Sequence, residues 1–265
     1  MKVLFWNTYQ NESINDTLCD LIFENCASLV ILAEYKADMN DLFQLLAAKG
    51  YEMLHYPTLG CDRITILGKQ MNLVPGLQTD YYSINILNNK DIYCCVHLPS
   101  PIYGNSEGIR NAIINRIITD IESTEIELDA DNTVIVGDFN ANPFDNKCID
   151  ATGLHGIPIL EVTEKQKRTI AGKDYKMFYN PMWRFFGDEK DPYGTFYFPG
   201  NNTNNIFWHI YDQVIIRPSL KDRFISSSLR IITETETRYL INNQGHPDKN
   251  ISDHLPIIFE IQEDD

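Results

Sequence analysis

The sequence predicts an α/β protein whose strands form antiparallel or mixed sheet, organised as one domain over residues 1–265. Three observations carry this. Short runs of branched apolar residues alternate with amphipathic helical stretches in the first half of the chain. Between residues 51 and 97, several strand-like runs follow one another with only short breaks. No repeat with a period of 20 to 50 residues and no stretch resembling a flexible linker divides the chain. With 265 residues, 43% of them hydrophobic and 22% charged, the chain can bury a sizeable core, and its composition excludes the disordered and fibrous classes.

The elements follow in order. "KVLFW" (2–6) reads as a strand. "SINDTLCDLIFENC" (13–26) reads as a helix, because Ile14, Leu18, Leu21 and Ile22 share one face and Ser13 with Asp16 has capping-box spacing. "LVILA" (29–33) is a fully buried strand, and "DLFQLLAAKG" (41–50) is a helix stopped by Gly50. "YEMLH", "RITIL", "YSINIL" and "DIYCCVH" supply four further strands. The stretch 105–123 places Ile109, Ile113, Ile117 and Ile121 at helical repeats and leads into the strand "TVIVG" (133–137). Residues 145–205 are rich in turn formers and aromatics, as expected of long connections that wall a site. "YDQVIIR" (211–217) and "PIIFEI" (256–261) are the last strands.

Charge and cysteine usage narrow the setting. There are 22 basic against 37 acidic residues, a net charge of −15. Such a field disfavours nonspecific binding along a nucleic-acid backbone unless a basic cleft or a divalent cation intervenes, and it disfavours anionic membranes, so no stable membrane association is expected. The six cysteines show no CxxC spacing; they read as free, buried thiols in a reducing compartment, with Cys94 and Cys95 on opposite faces of a strand. The chain opens directly on a strand, and no run approaches 18 apolar residues. A cytoplasmic location is expected, and no protein partner can be read from the sequence.

Strand after strand ends in a residue that is costly to bury. Asn7 follows "VLFW", Glu34 follows "LVILA", His97 ends "YCCVH", Asp138 and Asn140 follow "VIVG", Asp212 opens "QVII", and Asp253 with His254 precedes "LPIIF". Taken singly, each has a bland reading as a turn, cap or satisfied core residue. Together they come from distant segments that converge if their strands share one sheet edge. Glu34, Asp138 and Asp253, with the amides of Asn7 and Asn140, form an all-oxygen set suited to Mg²⁺ or Mn²⁺ rather than Zn²⁺. His97 and His254 then remain for the substrate, with Asp212 placed to orient one ring.

The blocks "WN", "LAEY", "VHLP", "GDFNANP", "YDQVII" and "SDHLPI" together resemble the endonuclease/exonuclease/phosphatase family, and they occur in that family's order from residue 6 to about residue 259. The resemblance implies a DNase I-like four-layer α/β sandwich: two mixed β-sheets packed face to face with helices outside. It implies a metal-dependent hydrolase of phosphoester bonds acting by in-line attack of water. Glu34 would be the principal Mg²⁺ ligand with Asn7 beside it and Asp253 near the metal. Asp138 would position or deprotonate the water, and Asn140 would hold a phosphate oxygen. His254, oriented by Asp212, would stabilise charge on the phosphoryl group, and His97 would be a second phosphate-binding imidazole.

The match departs in two places. "VHLPS" supplies a His where the abasic-site branch carries a "YVPN"-like block, and "HIYDQVII" supplies His209 where an Arg is common. Arg110 reads either as a solvated helix face or as a phosphate contact, and His209 as a substitute substrate contact. Trp183, Phe185, Phe186, Phe196, Tyr197 and Trp208 read as packing anchors or as a surface for stacking a base or sugar. The substrate expected is a phosphodiester or a small phosphorylated molecule. A nucleic acid, cut by a magnesium-dependent nuclease, is the alternative, and a noncatalytic binding module the third reading.

Overall fold

The computed structural model describes residues 1–100, 106–188, 191–201, 203 and 205–263. Asn105, with which the predicted third helix opens, and residues 189, 190, 202 and 204 of the predicted long connections lie outside the described residues. In chain order the elements are β1 (Lys2–Asn7), α1 (Asn15–Glu24), β2 (Leu29–Ala33), α2 (Met39–Ala48), β3 (Leu54–Tyr56), β4 (Ile64–Gly68) and β5 (Leu73–Gln78). Then come β6 (Tyr82–Leu87), β7 (Asp91–His97), α3 (Ser106–Leu128) and β8 (Thr133–Asp138). Short strands follow: β9 (Gly156–Ile157), β10 (Lys167–Ile170), β11 (Lys173–Lys176), β12 (Phe178–Tyr179), β13 (Phe196–Tyr197) and β14 (Trp208–His209). β15 (Asp212–Ile216), β16 (Arg230–Ile231) and β17 (Ile257–Glu260) complete the set.

Two mixed sheets result. The first has the order β16-β17-β1-β2-β4-β3, with β1 and β2 parallel and the other pairs antiparallel. The second has the order β5-β6-β7-β8-β15-β12-β9, in which β7–β8 and β9–β12 are the parallel pairs. Alternation along the strands sets the layers. Tyr93, Cys95, Val134, Val136, Val214 and Ile216 pack into one core with β1 and β2, while Ile92, Cys94, Val96, Ile135 and Ile215 pack beneath Ile114, Ile117 and Ile121 of α3. α1 and α2 add Leu18, Leu21, Ile22, Leu42 and Leu46 to the first core. The architecture is therefore helix, sheet, sheet, helix. Its central strands are buried on both faces, which is why they read as unbroken apolar runs.

Several local expectations change. α1 starts at Asn15 behind Ile14 with no side-chain cap; the Ser13 N–H donates to Asn11 Oδ1 at 2.9 Å, so the capping box does not form. On α3 the buried face is Arg110, Ile114, Ile117 and Ile121, and Ile109 is 51% exposed. Steps of four residues drift about 40° each from a 3.6-residue period, so a run at 109, 113, 117 and 121 leaves the buried face at its first members. β5 was not anticipated because Pro75 and Gly76 interrupt its pattern; it is an edge strand irregular between Pro75 and Gln78, where such residues are tolerated. Cys94 and Cys95 do face different cores, but Cys26 is an exposed thiol. Among the described residues, no helix is long and apolar enough to cross a membrane.

Gly137 fixes where β8 delivers its last residues. Its φ is +153°, and a Cβ there would lie 1.9 Å from the Val96 carbonyl oxygen on the neighbouring strand. Gly137→Ala should therefore push β8 away from β7, costing on the order of 3 kcal/mol of stability; a urea unfolding midpoint unchanged from wild type would contradict this.

Candidate active site

Strand register brings the polar strand ends to one rim. On the parallel pair β1–β2, Asn7 lies opposite Ala33, so Glu34 emerges beside it. On β7–β8, His97 lies opposite Asp138, and on the antiparallel pair β8–β15 Asp138 lies opposite Asp212. β17 runs antiparallel to β1, with Phe5 opposite Ile257, so the residues just before β17 reach the same end. The Trp6 indole N–H fixes that segment by donating to the His254 carbonyl at 2.9 Å.

Asp138 is the hub, at 1% exposure. Its Oδ2 accepts from Asn7 Nδ2 at 3.0 Å and Asn140 Nδ2 at 3.1 Å, and its Oδ1 accepts from the Asn140 N–H at 2.8 Å. His97 Nε2 stands 3.7 Å from Asp138 Oδ2 and 3.5 Å from Glu34 Oε1; His254 Nε2 stands 3.9 Å from Asp138 Oδ2 and 3.9 Å from Asp253 Oδ1. Behind it, His254 Nδ1 is hydrogen-bonded to Asp212 Oδ2 at 2.8 Å. Glu34, the most open of the group, accepts from Gln10 Nε2 at 3.1 Å.

The electrostatics follow from crowding acids in a dry place. Burial opposes a charge on His254, but the carboxylates of Asp212 and Asp138 overcome it and raise this imidazole above its ordinary range. The pair is therefore an imidazolium hydrogen-bonded to a carboxylate. Burial dominates at His97 and lowers it despite Asp138 and Glu34 nearby. Asp253 is raised, by burial first and then by repulsion from Asp138 and Glu34.

Asp138, Asp212 and His254 place ligand-type atoms within 4.8 Å of one another, but His254 already serves as the cation for Asp212. A better cation position is on the open side. There Glu34 and Asp253 face the same space as Asn7, and the buried Asp253 Oδ1 has no hydrogen-bond partner among the described residues. An oxygen donor set with an orphaned carboxylate oxygen fits a hard divalent ion.

These groups form one end of a cleft of about 1040 Å³. All eight strand-end residues predicted from the sequence meet at this end: seven line the cleft, and Asp212 stands behind His254. Arg110 also lines it, only 7% exposed and donating through Nη1 to the Pro99 carbonyl at 3.3 Å, so the solvated-face reading is excluded. His209 lines it too, though not as a cation. The Ile210 N–H donates to Asn142 Oδ1, so the Asn142 Nδ2 donates to His209 Nδ1 at 3.0 Å, which leaves the ring proton on Nε2, facing Asn205 Oδ1 at 3.3 Å. Of the aromatic group, Phe196 lies against His254 with ring centroids 4.8 Å apart, whereas Trp183 and Phe186 pack on Phe144.

Sequence reasoning missed the supports. Asn142 lies two residues beyond Asn140 in the same "GDFNANP" block, which singles out Asp138 and Asn140 but not Asn142. Gln10, Ser252 and Gln213 carry no comparable signal: Ser252 Oγ donates to the Asn7 carbonyl at 2.7 Å and accepts the His254 N–H at 3.1 Å, and Gln213 Nε2 holds the Ala141 carbonyl at 2.7 Å.

No protein-family model and no curated protein matches this sequence. Solved structures do. An AP endonuclease from Archaeoglobus fulgidus superposes with a TM-score of 0.60 at 12% identity, covering 99% of this chain and 100% of its own. The 3′ phosphatase NExo from Neisseria, bound to a product DNA hairpin, gives 0.57 at 15% identity, with 99% and 100% covered. TDP2 from D. rerio, complexed with single-strand DNA product, gives 0.54 at 13% identity, with 99% of both chains covered. The fold is thus the DNase I-like sandwich, as the sequence resemblance implies.

His209 offers a test of this geometry. Burial lowers its pKa from 6.5 to about 4, so the folded state resists its protonation and stability is lost as the pH falls from about 6.5 toward 4. His209→Gln should lose less stability than wild type between pH 7 and pH 4.5, measured by urea midpoints; an equal loss in both proteins would refute the assignment.

Proposed function

We propose that this chain is a divalent-metal-dependent phosphoesterase that hydrolyses a phosphodiester or a small phosphorylated substrate by in-line attack of water. The observation that carries the reading is the meeting of Asp138, the His254–Asp212 ion pair, His97, Glu34 and Asp253 at one end of a large cleft. The fold, shared with structures described as an AP endonuclease and a 3′ phosphatase, supports the same class.

Asp138 holds the attacking water and takes its proton, its carboxylate oriented by Asn7 and by the backbone N–H of Asn140. The water oxygen bonds to phosphorus while the bond to the leaving oxygen breaks on the opposite side, and solvent returns a proton to the leaving group. The His254 imidazolium donates to a non-bridging oxygen, with Asp212 fixing the ring and its charge. His97 presents Nε2 from the other side. The Asn140 amide, which donates to Asp138 and to the Leu98 carbonyl in the free protein, exchanges its Asp138 contact for a phosphate oxygen. Glu34 and Asp253, with Asn7 beside them, would hold Mg²⁺ or Mn²⁺, and the ion would supply neutralisation of charge on the phosphate oxygens. Arg110 supplies a further positive contact along the cleft.

A nuclease is the second reading. It is favoured by a cleft at the upper limit of the roughly 300–1,000 Å³ usual for small-molecule pockets. The charge of −15 opposes long nucleic-acid contacts, so a steep fall of affinity with salt would favour it. A noncatalytic module should have lost a central group, and all eight are present.

The test is a panel of phosphomonoesters, diesters and oligonucleotides assayed with Mg²⁺ or Mn²⁺ and again with EDTA. Glu34→Ala, Asp138→Asn and His254→Ala should each lower kcat on the accepted substrate by on the order of 10²-fold or more, and EDTA should abolish turnover. Near-full turnover by Asp138→Asn, or no hydrolysis across the panel, would overturn the proposal.

A further inference from the structure

The β13–β14 ribbon is a wall with two usable faces. Alternation along it places Phe196 and Phe198 on the cleft and Tyr197 on the other side; on the partner strand His209 faces the cleft, while Trp208 packs against Tyr197 at 5.4 Å between ring centroids. Behind the wall lies a second recess of about 430 Å³, whose lining includes Tyr197, Pro199, Asn242, His246, Lys249 and Asp253. Tyr197 and His246 are parallel there, with ring centroids 3.5 Å apart and 9° between planes, and Trp208 stands edge-on to His246 at 5.8 Å. Asp253 lines both chambers, so they adjoin at a carboxylate of the proposed metal position.

A substrate reaching into both chambers needs a group on each side of its phosphate. The recess suits a flat aromatic group. Tyr197 and His246 form a ready-made stack that one more ring can extend, and stacking on such a surface is indifferent to which base is offered. Asn242 on the rim can hydrogen-bond ring nitrogens or exocyclic groups, and the exposed Lys249 adds a cation near the phosphate. A volume of about 430 Å³ lies within the range for nucleoside-sized ligands. An aliphatic chain would forgo the stacking, and a bare phosphomonoester would leave the recess unused.

We propose that this recess is a nucleobase subsite and that the substrate is a phosphodiester with a nucleoside on one side of the scissile phosphate. Its base extends the Tyr197–His246 stack, and its other arm runs along the main cleft. The inference rests on the phosphoesterase reading for the placement of the phosphate, but not for the recess itself.

Calorimetric titration of the wild-type protein with AMP and with ribose 5-phosphate, both with Mg²⁺, reads the subsite without turnover. AMP should bind roughly tenfold or more tightly. The gap should close in Tyr197→Ala and in His246→Ala and persist in Tyr197→Phe, with thermal melts confirming folded variants. In turnover, Tyr197→Ala should raise KM about tenfold more on a dinucleoside monophosphate than on the counterpart lacking the recess-side base. Equal binding of the two ligands by wild type, or a gap that survives Tyr197→Ala, overturns the subsite. Hydrolysis of monoesters but of no diester overturns the diester assignment, and hydrolysis of neither, with AMP discrimination intact, overturns the phosphoesterase reading while supporting the base site.

Discussion

Asp138 and Asp212 face each other across adjacent antiparallel strands, both almost wholly buried, and the rest of the site is arranged to make that tolerable. Like charges directly opposite on a sheet destabilise it, and a buried carboxylate without partners costs several kcal/mol. The remedy is distributed. Asp212 has the His254 imidazolium at 2.8 Å, and Thr195 Oγ accepts from the backbone N–H of Asp212 at 3.1 Å. Asp138 has Asn7 and Asn140. Two buried carboxylate oxygens stay without a hydrogen-bond partner among the described residues, Asp212 Oδ1 behind His254 and Asp253 Oδ1 on the open side, and it is on the open side, beside Glu34, that the argument for a cation is strongest.

A sandwich suits such a cluster because its central strands cannot move independently. Each polar group sits one or two residues beyond a stretch buried on both faces, so its position follows the register of the sheet. The chain turns sharply where the groups emerge. Glu34 has φ of +55° and Asn140 of +47°, in the left-handed region that non-glycine residues seldom occupy. Strain of this kind persists where surrounding structure imposes it. At Asn140 the surroundings are identifiable: its side chain bonds the Leu98 carbonyl and its backbone bonds Asp138.

What the sequence disclosed and what it concealed divide along the same line. Strands buried on both faces announce themselves, and a costly polar residue at the end of each is conspicuous, so the eight central groups were legible as candidates before any coordinates. Their convergence was legible only through the order of the motif blocks, because register between β1 and β8 has no local signature. The short strands after Asp145 were not legible: two-residue pairings in an aromatic, proline-rich stretch leave no periodicity. Yet β13 and β14 form the wall of the cleft. Gln10 was hidden because it acts through a hydrogen bond to Glu34, in a later segment, and Ser252 because its hydroxyl ties the His254 N–H to the Asn7 carbonyl at the far end of the chain.

The net charge of −15 must be reconciled with the anionic substrate proposed above. At physiological salt, charges separated by more than about 8 Å are largely screened, so the overall field slows encounter more than it weakens a formed complex. The decisive charges are local, and the acids outnumber the cations: Arg110, Lys147 and the His254 imidazolium against Glu34, Glu107, Asp138, Asp145 and Asp253. Coulombic attraction from the protein alone therefore gives little affinity for phosphate. Under the proposed function, binding would draw on a cation held by Glu34 and Asp253 at one end and on contacts that do not depend on charge at the other. The Tyr197–His246 stack is of the second kind. An acidic phosphoesterase built this way would hold its substrate by a base and a metal, and would gain little from a longer polyanionic chain.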